Sequence, residues 1–360
     1  MIYIKKIIDT LKSDNILCGY LYFYIHFVVE IASFYFLSTV TGNSKFVWLV
    51  PFIYDGMAFV PQALIGYIND KYPKVIFGLI GVCLFVIAYL VYFGTNISLY
   101  LSLIILCLGN AFLHINGAEV TLRASKGKLS HSAIFVAGGS FGVITGRLLA
   151  KSIMPFWGVI LITLTIIPCV LLAQKFVEDK KSCSEFKYYN KKINPMNIIL
   201  LATLVVIIRG YMGYGIPTSW NKTTMQTVIF FCIMGFGKAL GGILSDSFGI
   251  RKIAVLSTVL SIPFLCLGDK VMIISLIGVM FFSMTMAITL GILVSVLKSA
   301  PGLAFGFTTI GLFLGTFPIF FVKITNVILN IGMIVVFSLL CTFILLKILD
   351  KGENNNGSDI

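Results

Sequence analysis

Charge is scarce in this chain of 360 residues: 11% are Asp, Glu, Lys or Arg, against 58% hydrophobic. With a mean hydropathy of +1.01, its apolar side chains outrun what the interior of a water-soluble domain can hold, so a soluble globular fold is excluded and lipid is the solvent for most of it. Histidine is nearly absent, with three residues at His26, His114 and His131 and no His-x-x-x-His or Glu-x-x-His spacing. No metal and no intramembrane enzyme centre is therefore expected. A Walker phosphate loop is also missing, which disfavours direct drive by ATP; no cofactor is expected. The 8 cysteines stand singly at Cys18, Cys83, Cys107, Cys169, Cys183, Cys232, Cys266 and Cys341, without paired spacing. They read as small core residues and not as disulfides.

What the chain has in abundance is uninterrupted apolar sequence. Stretches of roughly 20 residues, the length that crosses about 30 Å of hydrocarbon, lie near 16–40, 46–68, 75–94, 97–120, 130–150 and 153–173. Six more lie near 197–217, 224–245, 252–268, 271–296, 302–322 and 325–347. Twelve spans with short loops are predicted. Lys5, Lys6 and Lys12 precede the first run as in a signal peptide, but that run is too long, contains Glu30 and lacks a clear small-residue cleavage site, so it reads as a retained span. Residues 2–12 put Ile4, Ile7, Ile8 and Leu11 on one helical face, which fits an interfacial helix or a plain linker.

The formal charge of +13 is a topological signal. With both termini on the cytoplasmic side, 19 Lys and Arg residues fall in inner segments and 5 in outer loops: Lys45, Lys151, Lys222, Lys270 and Lys323. This is the positive-inside bias. The basic balance then reports orientation and anionic lipid headgroups, with no nucleic-acid partner implied. The longest polar segment, 174–196, divides a bundle over 1–173 from a second over 197–347. The end of the chain, 348–360, is too polar to pack and is expected to be a disordered cytoplasmic tail.

A short turn occurs twice, each time after an apolar span. The copies are Gly66-Tyr-Ile-Asn-Asp70-Lys71-Tyr-Pro73-Lys74 and Gly242-Ile-Leu-Ser-Asp246-Ser-Phe-Gly249-Ile-Arg251-Lys252, offset by 176 residues throughout. An even number of spans separates them, so they share one side of the membrane and the halves are parallel repeats. A Gly, an Asp four residues later, a Gly or Pro turn and basic residues after the second and eighth spans resemble the loop signature of the major facilitator superfamily. The resemblance runs from about residue 16 to about 347, and the first copy departs from it at Lys71 and Pro73. It implies an all-α membrane protein of twelve helices in two pseudo-symmetric six-helix bundles.

An Asp at one helix end can accept hydrogen bonds from the unsatisfied N–H groups that begin another helix. The resemblance supplies the partners: Asp70 facing the start of the eleventh span at Pro301-Gly302, and Asp246 the start of the fifth near Ser130-His131. Together with Gly66, Gly242, Lys71, Lys74, Arg251 and Lys252, these would latch the cytoplasmic face; a simple turn cap is the alternative. Glu119 and Arg123, an i, i+4 pair, are expected to join the charges around Lys71 and Lys74.

Charge inside hydrocarbon costs on the order of 2.5–3.5 kcal/mol per residue, so each instance needs a reason. The interiors of the third, sixth, ninth and twelfth spans carry none. By resemblance these are the outer helices of each bundle. Embedded groups lie at His26, Glu30, Asp55, His114, Glu119, Arg147, Arg209 and Lys238. Tyr22, His26, Glu30 and Ser33 share one face of the first span. Glu30 is the first candidate for a proton-carrying carboxylate, with His26 and Asp55 beside it in that role; a fixed pair of Glu30 with Arg209 is the alternative. Arg209 would bind an anionic group of the solute or act as counter-ion to Asp55 or Glu30, and the glycines and proline after it would loosen the outer part of its span. Lys238 and Gln62, matched by the 176-residue offset, would line the cavity with Asn110, His114, Tyr22 and Tyr211, although Lys238 also fits a snorkelling lysine and His114 a hydrogen-bonded core residue. The fifth span, Ala137-Gly138-Gly139-Ser140-Phe-Gly142-Val-Ile-Thr145-Gly146, is similar to the glycine-rich motif of drug-exporting proton antiporters but lacks its Gly-Pro pair.

The sequence thus points to a monomeric, multi-pass secondary transporter of the cell membrane. It would move a small organic solute by alternating access, coupled to H+, with export of an amphiphilic compound placed ahead of uptake of a nutrient or organic anion. A membrane sensor that kept the fold and lost transport is the reading of another class.

Overall fold

The computed structural model describes residues 2–11, 15–41, 48–72, 75–94, 99–152, 154–177, 183–322, 324 and 326–350. Twelve apolar helices of 18–26 residues account for most of them, which at 1.5 Å per residue makes each about 27–39 Å long. They are α1 (Ile16–Thr41), α2 (Leu49–Lys71), α3 (Phe77–Gly94), α4 (Leu99–Ala124), α5 (Ser130–Leu149) and α6 (Phe156–Gln174). The second half contains α7 (Pro195–Gly215), α8 (Thr224–Phe248), α9 (Ile250–Leu267), α10 (Met272–Val296), α11 (Pro301–Phe320) and α12 (Val327–Ile348). All twelve spans coincide with the sequence prediction to within a few residues.

Prolines set most of the interruptions. Pro61 begins the second segment of α2, and α6 and α9 break at Thr165 and Leu260, three residues before Pro168 and Pro263. A proline removes one ladder hydrogen bond and crowds the carbonyl four residues back, which places the break there. Helix α7 stays continuous through Arg209 to Gly215 and stops ahead of Pro217, so the expected loosening is confined to its end. Asn194 caps α7, accepting from Met196 N at 2.9 Å, and Thr223 with Gln226 forms a capping box on α8.

Small residues decide which helices touch. Gly81 of α3 packs on Gly109 and Leu113 of α4, and Gly311 and Gly315 of α11 on Val206 and Ile207 of α7. Close approach of this kind replaces the hydrophobic driving force that lipid cannot supply. The two bundles meet along α2 with α11 and α5 with α8: Gly306 lies against Ala63, and Gly242 against Ala133 and Leu129.

Twelve spans bring both ends of the described residues, Ile2 and Asp350, to one face, the basic face. The N-terminal helix Ile2–Leu11 sits there, with Thr10 Oγ1 3.0 Å from Ser247 Oγ of α8. Residues 183–194 cross the same face. Cys183 N donates to Lys298 O at 2.7 Å, and Tyr188 OH to Gly127 O at 2.6 Å, so the segment touches loops of both halves. Asn190 N donates to Ile348 O at 2.8 Å and Asp350 N to Tyr188 O at 3.0 Å. Thus 348–350 pair with the linker, while the rest of the expected tail, 351–360, lies outside the described residues.

Candidate functional site

Helix α1 carries His26, Glu30 and Ser33 on one face, and the glycines of α5 let that face sit against its neighbour. A Cβ on Gly138 would strike Phe23 O, and one on Gly146 would strike Ile31 O. A Cβ on Gly139 would run into the His26 ring, and one on Gly142 would come 2.7 Å from Glu30 Cβ. The glycine run of α5 is therefore the seat of α1, with two of its members giving room to ionisable side chains.

These side chains meet α4 and α2 in a buried polar cluster. His26 Nε2 and His114 Nε2 lie 2.8 Å apart. Glu30 Oε1 lies 3.8 Å from His26 Nε2 and 3.5 Å from His114 Nε2. His26 Nδ1 donates to Phe135 O and His114 Nδ1 to Asn110 O, each at 2.9 Å. Asn110 Nδ2 lies 3.1 Å from Glu30 Oε1, from Ser33 Oγ and from Tyr54 OH, and Tyr54 OH donates to Glu30 Oε2 at 3.4 Å. His26, Glu30 and His114 are each 7% exposed. Together they make a group of side chains that could hold a metal ion, one that spacing along a single helix cannot reveal because its members come from two.

Asp55 and Lys238 lie within electrostatic range of Glu30. Lys238 reaches it from the second bundle and is only half-buried. Arg147 lies between the bundles, its guanidinium carbon 5.1 Å from the Phe34 ring and 5.4 Å from that of Phe231. Other expected site residues lie elsewhere. Tyr22 is fully buried and donates to Asn116 Oδ1 at 2.7 Å, and Gln62 turns back on its own helix to Ala58 O at 2.8 Å. Tyr211 packs against Phe337 of α12, with ring centroids 6.4 Å apart. Arg209 pairs with neither Glu30 nor Asp55 among the described residues. Its Nη2 donates to Phe282 O, and its guanidinium carbon lies 3.8 Å from the Phe282 ring centroid. The reason is directional: Arg209 points at α10 inside its own bundle.

At the basic face, Asp70 accepts from Gly302 N at 3.1 Å and Leu303 N at 2.9 Å, and Asp246 from Leu129 N and Ser130 N at 2.8 Å each. Both acids thus cap the helix starts that the resemblance named, α11 and α5. Arg123 Nη2 lies 3.6 Å from Asp70, its Nε donates to Glu119 Oε1 at 3.1 Å, and Asn69 Nδ2 donates to Glu119 Oε2 at 2.6 Å. The expected gathering of Glu119 and Arg123 around Lys71 is replaced by one around Asp70. Lys71 is exposed, its Nζ 4.3 Å from the Tyr67 ring centroid, and Lys74 lies outside the described residues. Arg251 Nη1 donates to Leu346 O at 3.0 Å and Leu349 O at 3.1 Å at the end of α12, while Lys252 is exposed. Tyr54 and Asn69 were missed by the sequence reading. Each directly precedes an acid that was singled out, Asp55 and Asp70.

The architecture is that of the major facilitator fold, and solved structures share it over nearly the whole chain. The human organic anion transporter MFSD10 (TETRAN) superposes with a TM-score of 0.66 at 12% identity, over 92% of this chain and 98% of that one. The fucose:proton symporter FucP of E. coli gives 0.60 at 15% identity, over 93% and 98%. A bacterial homologue of the iron transporter ferroportin, in an outward-facing state, gives 0.59 at 13% identity, over 92% and 98%. No family model and no curated protein matches the sequence.

Proposed function

We propose that this chain is a secondary transporter of the cell membrane, with both termini cytoplasmic, that carries a small organic solute by alternating access and couples the movement to protons. The observation that carries the reading is the cluster of Glu30 with His26 and His114, three titratable groups buried where α1, α2 and α4 meet, in a span that membrane insertion would favour leaving apolar. A carboxylate there exchanges a proton when the cavity opens to either side, and Asn110 and Tyr54 hold it in place between openings. Lys238, from the other bundle, senses its charge. Electrostatic influence across the bundles is the means by which protonation would alter their interface.

In this reading Asp70 and Asp246 are the latches that hold the cytoplasmic side shut. Phe34, Phe231 and Arg147, which meet between the bundles, suit an amphiphilic solute with a charged group. The α5 glycines are taken up in packing on α1, so they carry no weight for export over uptake. The three solved neighbours are named for an organic anion, for fucose with a proton and for iron, so the fold does not choose among solutes. Proteoliposomes loaded with a pH-sensitive dye test the proposal against panels of sugars, organic anions and lipophilic drugs. One class should drive proton movement in the wild type, with the response lost in Glu30→Gln. Proton movement undiminished in Glu30→Gln, or evoked by no panel, sinks it.

A further inference from the structure

We infer that His26, His114 and Glu30 form a binding site for a divalent transition-metal cation of the zinc and iron(II) class. Each Nδ1 faces a backbone carbonyl at 2.9 Å, Phe135 O for His26 and Asn110 O for His114. A carbonyl only accepts, so both Nδ1 atoms carry hydrogen. In the neutral rings both Nε2 atoms then bear lone pairs, and these face each other at 2.8 Å. Two lone pairs at that distance repel unless a cation lies between them.

A proton can bridge the two nitrogens, but it leaves Glu30 Oε1 beyond hydrogen-bond reach, 3.5 and 3.8 Å from them. A metal ion can satisfy all three atoms together. They form a triangle with sides of 2.8, 3.5 and 3.8 Å. The circle through its corners has a radius of about 2.0 Å, which matches the zinc–nitrogen and zinc–oxygen bond lengths of about 2.0–2.2 Å. Two imidazoles and one carboxylate suit zinc, iron(II), cobalt(II) and nickel(II), and the absence of thiolate among the three disfavours the softest ions.

The surroundings are those of a built ligand set. Both imidazoles donate their other nitrogen to a main-chain carbonyl, the arrangement that fixes a metal-binding histidine's tautomer and orientation. Asn110 spans the cluster, holding His114 through its carbonyl and Glu30 through its amide, while Tyr54 holds the second carboxylate oxygen. Gly139 and Gly142 keep α5 clear of the ligands. The charged and titratable groups around the triad are Lys238 from α8, with Asp55 and Tyr54 from α2. Lys238 opposes a cation and Asp55 favours it, so local charge does not forbid a dication.

Purified protein in detergent tests the site independently of transport. Zn2+ is titrated by calorimetry after chelation, in the wild type and in His26→Gln, His114→Gln and Glu30→Gln, with His131→Gln as the control and melting temperature as the check on folding. One ion per chain is expected, weakened at least tenfold in the three ligand variants and unchanged in the control. X-ray absorption of zinc-loaded wild type needs no variant and should show nitrogen and oxygen neighbours at about 2.0–2.1 Å. Absence of stoichiometric binding, equal affinity in the ligand variants, or sulfur neighbours at about 2.3 Å would overturn it. The first of those outcomes leaves a proton as the only cation of the site, and the proton-coupled reading intact.

Discussion

Gly66 of α2 and Gly302 of α11 touch backbone to backbone: a Cβ on Gly66 would overlap the Gly302 carbonyl and lie 2.9 Å from Leu303 N. The contact is made by main chain, so no rotamer change relieves it. Gly66→Ala should therefore force the two bundles apart at the basic face, at a cost of about 1–3 kcal/mol to the closed arrangement, equivalent to roughly 5- to 150-fold in population. Ser245→Cys in an otherwise cysteine-free background reports the change, because Ser245 is 5% exposed at that face and nearly isosteric with the probe. Faster modification by a water-soluble thiol reagent is expected. An unaltered rate would show that the glycine contact does not hold the face shut.

The two aspartates that cap helix starts are equivalent in sequence and unequal in structure. Asp246 meets two N–H groups with the Ser130 side chain and Lys128 nearby, whereas Asp70 meets two N–H groups and forms an ion pair with Arg123, whose side chain is 4% exposed. A hydrogen bond to a charged group contributes about 1.5–3 kcal/mol, and removing a carboxylate from a buried pair leaves the cation uncompensated. Asp70→Asn should consequently destabilise the closed basic face more than Asp246→Asn, with Glu119 sparing Arg123 part of the loss. Thermal unfolding in detergent and the Ser245→Cys modification rate should both rank the variants in that order. Equal effects would mean that the Asp70–Arg123 contact adds nothing to the closed arrangement.

The spans and the repeated turn were legible in the sequence because each is written locally: hydropathy over 20 residues, or a short motif at a helix end. Asp70 and Asp246 needed only the resemblance to name α11 and α5. The His26–His114 contact was not legible. The two residues are 88 apart on different helices, and no spacing rule relates them before the bundle is assembled. Glycines of α5 read as general packing signals, yet Gly139 and Gly142 answer to particular side chains on α1. The reading of Arg209 failed for a related reason: depth in the membrane can be counted from sequence, but the direction a side chain takes around the helix axis depends on its neighbours.

Arg209 sits where α10 is interrupted between Ser283 and Thr285, its Nη2 bonded to Phe282 O and its guanidinium over the Phe282 ring. Helix interruptions free carbonyls that hydrocarbon cannot solvate, and a side-chain donor is one of the few remedies. A planar guanidinium can lie on the ring and reach the carbonyl together; a lysine ammonium, with no plane to stack, does one at the expense of the other. Arg209→Lys should thus lower stability by about 1–2 kcal/mol, since a desolvated cation–ring contact is worth about 2 kcal/mol. It should also speed amide hydrogen exchange in 283–288. Arg209 Nη1 has no hydrogen-bond partner among the described residues, which leaves one test between a structural brace and a solute contact. A brace changes exchange and melting while leaving the apparent solute affinity of the folded fraction intact; unchanged exchange with weakened solute binding would assign the guanidinium to the solute.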